Sequence, residues 1–197
     1  MKFRMLAIAA AMVVSSAAAQ AAAPVYTDNF DSDAQGLNVG LTGWTISGAN
    51  ATIDVVPVGS SFHFLSAANG NYVDLDGSSG HAATITKSLT GLADGYYALS
   101  FELAGNHRDG GVEATTVTLS GAANTVITPG QNDDSFHTIV GYASGGVLTF
   151  SFHDASNDNI GSLLDNVSVT AVPEPGSVSL LLAGLAALGF AARRRRG

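Results

Sequence analysis

Wherever residues 24–172 show a hydrophobic period, that period is two. Tyr97, Leu99, Phe101 and Leu103 alternate with Ala98, Ser100, Glu102 and Ala104. Leu148, Phe150 and Phe152 alternate with Thr149, Ser151 and His153, and Val167 and Val169 with Asn166, Ser168 and Thr170. Successive side chains of an extended strand point to opposite faces, so each such segment has one apolar and one polar side. No segment sustains the 3.6-residue period of an amphipathic helix. Asp94-Gly95, Asp109-Gly110-Gly111, Pro129-Gly130 and Ser144-Gly145-Gly146 mark turns between strands. The pattern predicts an all-β domain over residues 24–172: a jelly-roll-type antiparallel β-sandwich of about ten short strands. About 149 residues are enough for a two-sheet core.

Charge is unevenly placed along the 197 residues. Lys2 and Arg4 stand at one end and Arg193, Arg194, Arg195 and Arg196 at the other. Between Pro24 and Val172 the fixed cations are Lys87 and Arg108 against fifteen acids, a net charge of −13. Such a surface repels nucleic acid phosphates and suits water and cations. The chain has no cysteine, which excludes disulfides, zinc–thiolate sites and a thiol nucleophile.

The two ends read as addresses. Residues 1–23 fit a secretory signal peptide: a basic start, an apolar run from Met5 to Val14, then a small-residue stretch with Ala19-Gln20-Ala21 as cleavage site. Signal peptidase and the general secretion machinery are the partners this implies. At the other end Val172-Pro173-Glu174-Pro175-Gly176 breaks any preceding strand. Val178 to Ala192 then carries no charge. As one helix it would be about 22 Å long, short against a hydrocarbon core of about 30 Å. Arg193 to Arg196 would stay on the cytoplasmic side while the domain is exported.

Pro173-Glu174-Pro175, the apolar helix over 178–192 and the arginine cluster at 193–196 resemble the PEP-CTERM sorting signal of Gram-negative bacteria. The resemblance implies an exosortase, an integral-membrane cysteine transpeptidase, that recognises and processes the tail 173–197. It also implies transient membrane anchoring, then a place at the cell surface or in an exopolysaccharide or biofilm matrix. An ordinary tail anchor would share the helix and the arginines without needing the Pro-Glu-Pro motif.

The domain itself resembles galactose-binding-like carbohydrate modules. The resemblance rests on Asp28-Asn29-Phe30-Asp31, Gly43-Trp44, Tyr72-Val73-Asp74-Leu75-Asp76-Gly77, Phe101-Glu102-Leu103-Ala104-Gly105-Asn106 and Leu164-Asp165-Asn166-Val167-Ser168-Val169. Members of that fold range from sugar binders to domains with no known ligand. Two rings are candidate sugar platforms. Trp44 is either a stacking surface or a core residue, and Tyr96 is the exposed neighbour of Tyr97, which falls in the apolar phase. Tyr72 and Tyr142 are further candidates.

Asp165 poses a separate question. On the final strand it is in phase with Leu163, Val167 and Val169, which aims its carboxylate at the core. A buried carboxylate must be protonated, paired or metal-bound, and cations are scarce here. The resemblance implies a structural Ca²⁺, with Asp165 in the closing motif and Asp31 near the opening motif as ligands and Asp28 as a helper. Backbone hydrogen bonds to Asp165 without a metal are the alternative. Asp74-x-Asp76-Gly77 resembles the start of a calcium loop but lacks the later glutamate, and reads as a solvated strand end.

No catalytic set emerges. Gly77-Ser78-Ser79-Gly80-His81 departs from a nucleophile elbow at its fifth position. The histidines at 63, 81, 107, 137 and 153 lack zinc-site spacing. Glu102 and Glu113 are the glutamates available for glycosidase chemistry, and Glu102 sits in the polar phase of its strand. The leading expectation is a non-enzymatic surface protein that binds extracellular polysaccharide. A secreted carbohydrate-active hydrolase and a matrix component with no specific ligand are the alternatives.

Overall fold

The computed structural model describes residues 22–59, 70–108 and 112–172, with Ala183, Gly184, Ala186, Arg193 and Arg194 of the tail. Those five tail residues are helical. The signal peptide and the rest of the tail, including Pro173, Glu174 and Pro175, lie outside the described residues. No helix among the described residues is long and apolar enough to cross a membrane.

Twelve strands form among the described residues, against about ten expected from the sequence. They are β1 (Pro24–Asp28), β2 (Gly36–Val39), β3 (Thr45–Ser47), β4 (Ile53–Pro57), β5 (Asn71–Asp74) and β6 (Thr84–Thr90). The second half holds β7 (Gly95–Ala104), β8 (Thr115–Leu119), β9 (Thr125–Ile127), β10 (Asp134–Ala143), β11 (Val147–Asp154) and β12 (Leu163–Ala171). One sheet runs β10-β7-β12-β5-β4-β2, with β1 also paired to β12; the other runs β3-β6-β11-β8-β9. Every pairing is antiparallel. The result is an all-β, two-sheet antiparallel sandwich.

The core follows the period-two pattern. Tyr97, Leu99, Phe101 and Leu103 of β7 meet Leu148, Phe150 and Phe152 of β11 and Val117 and Leu119 of β8 between the sheets. Phe101 and Phe152 pack edge to face at 4.9 Å between ring centroids, a favoured aromatic geometry. Trp44 belongs to this core. It is 8 % exposed and lies 5.5 Å from Phe150 and 6.0 Å from Phe30. Its Nε1–H donates to Asp28 Oδ2 at 2.8 Å, which gives the buried indole its partner. The Tyr26 hydroxyl donates to the same oxygen at 2.7 Å.

Two strands depart from simple alternation. In β10 the large residues Phe136, Val140 and Tyr142 face outward, whereas Gly141 and Ala143 are buried. The sandwich closes tightly here: a Cβ on Gly141 would lie 2.4 Å from the Ser120 carbonyl oxygen, and Tyr142 N–H donates to that carbonyl at 2.8 Å. Only a small residue fits the inward phase at Gly141, whereas Ile139 and His137 fill that phase farther along the strand. In β12 the pairing with β7 shifts register between Asp165 and Ser168, and Asn166 takes φ 51°. This bulge changes the phase of the strand. Asp165 pairs with Glu102 on the outer face, while Val167 and Val169 turn inward. The expectation that Asp165 points at the core with Val167 and Val169 is corrected on this ground. It is 1 % exposed on the outer side of the sheet.

Truncating the core ring tests this packing. Trp44→Ala removes contacts to three phenylalanines and leaves Asp28 short of a donor. Chemical denaturation should show a loss of about 3–5 kcal/mol. A loss below about 1 kcal/mol would contradict a core role for Trp44.

Candidate functional site

The larger sheet carries an open outer face on β1, the later part of β12, β7 and β10. Register sets its rows. Phe136 sits opposite Glu102, Thr138 opposite Ser100, Val140 opposite Ala98 and Tyr142 opposite Tyr96. Ser168 lies opposite Ser100 on one side and Thr27 on the other. One row therefore presents four hydroxyls across four strands: Thr27, Ser168, Ser100 and Thr138. The last two share a hydrogen bond of 2.9 Å. Beside the row, between β1 and β12, is a cavity of about 350 Å³ lined by Thr27, Asp28, Asn29, Asn166, Val167 and Ser168.

Three exposed aromatic rings stand on this face. Phe136 is 69 %, Tyr96 56 % and Tyr142 39 % exposed, and no other aromatic ranks among the exposed large apolar side chains of the described residues. Tyr96 and Tyr142 pack edge to face at 5.1 Å. Tyr96 is exposed and Tyr97 buried, with the Tyr97 hydroxyl donating to the Ala93 carbonyl. Trp44, in contrast, has no open ring face, because Phe30, Phe150 and Phe152 surround it. Its reading as a stacking platform is corrected to a core role. Tyr72 is fully buried. Phe136 was not among the candidates from sequence. Its phase in β10 reads as inward until the tight closure at Gly141 is known.

Asp165 lies under one end of this face. Asn166 donates to it twice, from its backbone N–H to Oδ1 at 2.7 Å and from Nδ2 to Oδ2 at 3.3 Å. The same Nδ2 donates to Glu102 Oε2 at 2.9 Å. Burial pushes the Asp165 carboxyl up to about 7, the Asn166 hydrogen bond opposes this, and the negative charges of Glu102, Asp31 and Asp28 add to the rise. Asp31 accepts from Asn71 N–H at 2.6 Å and from Asn29 Nδ2 at 2.7 Å. Asp28 is committed to Trp44, Tyr26 and the Phe30 N–H. Several acids thus crowd together without a fixed cation in contact, which suits a hard cation with oxygen ligands. Among the described residues, however, no three acidic or histidine side chains converge on a metal position. Backbone carbonyls and water would have to complete any calcium shell here.

A second group of acids lies where β4, β5, β8 and β11 meet the loops. Asp74 and Asp76 are 3 % and 0 % exposed, so the solvated strand end expected there is corrected. Both serve as anchors. Asp76 Oδ2 accepts from the Asp158 and Asn159 N–H groups at 3.0 and 2.7 Å. Asp74 Oδ1 accepts from Gly161 N–H, and its Oδ2 pairs with Arg108 Nη2 at 2.8 Å. Asp154 holds Ser156 and Ser162 in the same way. Burial raises the Asp74 carboxyl to about 7 against the opposing charge of Arg108. Asp54 and Asp74 face each other across β4 and β5 and line a cavity of about 140 Å³. That volume is well below the ~300 Å³ at which ligand pockets begin. Asp54 is occupied by Asn38 N–H and by Ser78 N–H and Oγ–H. The pair reads as loop-holding structure rather than as a glycosidase dyad.

Three comparisons bear on the chain. The family model for the PEP-CTERM protein-sorting motif matches residues 171–196. No curated protein gives a match. Solved structures similar to it include the CBM22-1 xylan-binding domain of Paenibacillus barcinonensis Xyn10C, at 15 % identity and TM-score 0.49, over 80 % of this chain and 100 % of that one. A family 35 carbohydrate binding module from Clostridium thermocellum is 17 % identical with TM-score 0.43, over 66 % and 92 % of the two chains. TmCBM61, solved with beta-1,4-galactotriose, is 17 % identical with TM-score 0.48, over 66 % and 90 %. The chain therefore carries a PEP-CTERM protein-sorting motif at its C-terminal end, behind a two-sheet β-sandwich that resembles carbohydrate-binding modules.

Proposed function

We propose that this is an exported, exosortase-processed surface protein whose sandwich binds extracellular polysaccharide without catalysing a reaction. The observation that carries the binding reading is that the exposed rings of the described residues, Phe136 at one end and the Tyr96–Tyr142 pair at the other, all stand on one open, hydroxyl-bearing face. An aromatic ring packs on the apolar side of a sugar while neighbouring hydroxyls and amides meet its polar edge. The rival hydrolase reading needs two free, facing carboxyls in a cleft, and the best-placed pair, Asp54 and Asp74, is tied to loop backbone and Arg108. Residues 1–23 would serve as signal peptide and 178–192 as a temporary membrane helix. The exported domain would then work at the cell surface or in a biofilm or exopolysaccharide matrix.

Binding of about −4 to −8 kcal/mol, millimolar to micromolar, is expected on a broad glycan panel. Replacing Tyr96, Phe136 and Tyr142 together with alanine should abolish it, since all three rings are exposed and the fold should persist. Silence of the unaltered protein across the panel would instead favour an inert matrix component.

Processing of the tail is expected in a host with a matching exosortase. Mass spectrometry should find the mature protein without Arg193 to Arg196. Glu174→Ala should impair processing while leaving insertion of the apolar helix intact, because that residue lies outside the helix. A secreted form that retains the arginines would contradict the reading.

We further propose that Asp165 and Asp31, with Asp28 as a weaker helper, hold one structural Ca²⁺. The sign of the pH dependence follows from the raised Asp165 carboxyl. Unfolded, it loses its proton near pH 4; folded and metal-free, it holds that proton to about pH 7. Stability in a chelator should therefore fall as pH rises through that window and level off above it. Asp74 contributes with the same sign. Calcium needs the carboxylate, so it should raise the melting temperature most above pH 7. Asp165→Asn should flatten part of the pH profile and abolish the calcium effect. An equal calcium response in Asp165→Asn would exclude this site.

A further inference from the structure

We propose that the open face takes an uncharged, hydroxyl-rich glycan segment, seated across the strands from the β1/β12 cavity to Phe136. The inference rests on the glycan-binding reading and narrows it to a ligand class and a path.

Charge decides the class. Residues 24–172 contain two fixed cations, and neither serves this face. Lys87 directs its Nζ over the Tyr26 ring at 4.9 Å and the Trp44 ring at 5.8 Å. Its ammonium is therefore engaged with rings packed on the inner side of the sheets. Arg108 is held by Asp74 at 2.8 Å in the other acid group. The face itself carries Glu102, Asp28 lines its cavity, and Asp165 lies beneath. A uronic acid or sulfated polymer would meet negative charge and no counter-charge.

Hydrogen-bonding capacity points the same way. Thr27, Ser168, Ser100 and Thr138 offer hydroxyls, which both donate and accept; Asn166 offers its amide oxygen and Glu102 a carboxylate oxygen, which only accept. Sugar hydroxyls satisfy all of these. A sulfate or carboxylate can only accept, and so cannot use Glu102. Asn166 Nδ2 holds Glu102 Oε2, which orients the carboxylate beside the hydroxyl row and leaves Oε1 for a ligand hydroxyl.

The path follows from register. Adjacent strands are about 4.8 Å apart, so the row from Thr27 on β1 to Thr138 on β10 spans about 14 Å, the length of a short oligosaccharide. It starts at the cavity of about 350 Å³ and ends beside Phe136, the most exposed ring of the face. Tyr96 and Tyr142 lie about 20 Å from the Glu102–Phe136 row along the strands, at the margin of such a path. The second sheet has a comparable Ser/Thr surface, with Thr84, Thr86, Ser88, Thr149 and Ser151. Among the described residues it carries no exposed aromatic ring.

The test is calorimetric titration of the whole protein with neutral xylo-, gluco-, manno- and galacto-oligosaccharides. Polygalacturonate and a sulfated galactan serve as acidic probes, each run with calcium and with chelator. At least one neutral series should bind, and neither acidic polymer should. Phe136→Ala and Ser168→Ala should each weaken neutral binding about tenfold with an unchanged circular dichroism spectrum, whereas Tyr96→Ala should weaken it less than threefold. Thr138→Lys should add measurable binding of polygalacturonate. Stronger binding of an acidic polymer, with or without calcium, would overturn the proposed class. Neutral binding that survives both Phe136→Ala and Ser168→Ala but is lost in Tyr96→Ala would overturn the path while leaving glycan binding intact. Silence toward every probe would remove the glycan-binding reading itself.

Discussion

The bulge at Asn166 is the constraint on which the surface chemistry of this domain depends. β12 pairs with β7, β5 and β1, so an irregularity in it is felt across the larger sheet. Before the bulge, Leu163 and Asp165 share the outer side with Ala104 and Glu102. Leu163 is buried there with Val56, Tyr72 and Ala104 in a small apolar cluster. Beyond the bulge, Val167 and Val169 enter the main core and Ser168 and Thr170 face out. One inserted residue thus divides the outer face into a covered, acid-bearing part and an open, hydroxyl-bearing part. It also brings the Asn166 amide between Asp165 and Glu102, where it donates to both.

The core holds this arrangement through one polar hub. Asp28 accepts from Trp44, from Tyr26 and from the Phe30 backbone, which ties β1 to the aromatic centre of the sandwich. Lys87 adds a cation over the Tyr26 and Trp44 rings that donate to Asp28. Burial and the neighbouring Asp28 carboxylate push the Tyr26 hydroxyl far above its ordinary range, so it acts as a permanent donor. A hub built this way is poorly suited to release its carboxylate to a metal. It leaves Asp165 and Asp31 as the better candidates for the proposed calcium ion.

Much of the fold was legible because period-two patterning is strong in β7, β11 and the later part of β12. Those strands face a large partner sheet, so side-chain size and burial agree. β10 was misleading for the opposite reason. Close approach of Leu119 and Ser120 admits only small residues inward at Gly141, so Phe136, Val140 and Tyr142 were left to the outside. Nothing in the local sequence announces a contact made across twenty residues of chain. Asp165 was misread because a bulge shifts phase by one residue, and Asn166 at positive φ is only a weak signal of it. The exposure of Tyr96 followed correctly from Tyr97 being in the apolar phase, whereas the role of Trp44 needed the positions of Phe30 and Phe150. Asp74 and Asp76 looked like an exposed loop start, since their backbone partners at Asp158, Asn159 and Gly161 are remote in sequence.

The sorting tail and the sandwich make separate demands on the chain. On the proposed function, a membrane system would read the tail through Pro173-Glu174-Pro175 and the arginines, and the domain would meet extracellular glycan through the open face of its larger sheet. The claim that joins them is that this face, and no other, touches glycan. Amide and aromatic chemical shifts followed during titration with a neutral oligosaccharide test that claim most directly. The account predicts shifts clustered at Thr27, Ser100, Phe136, Thr138, Asn166 and Ser168, with the Trp44 indole signal unmoved. Shifts confined to the β6–β11 face, or to the loops around Asp74 and Arg108, would contradict it.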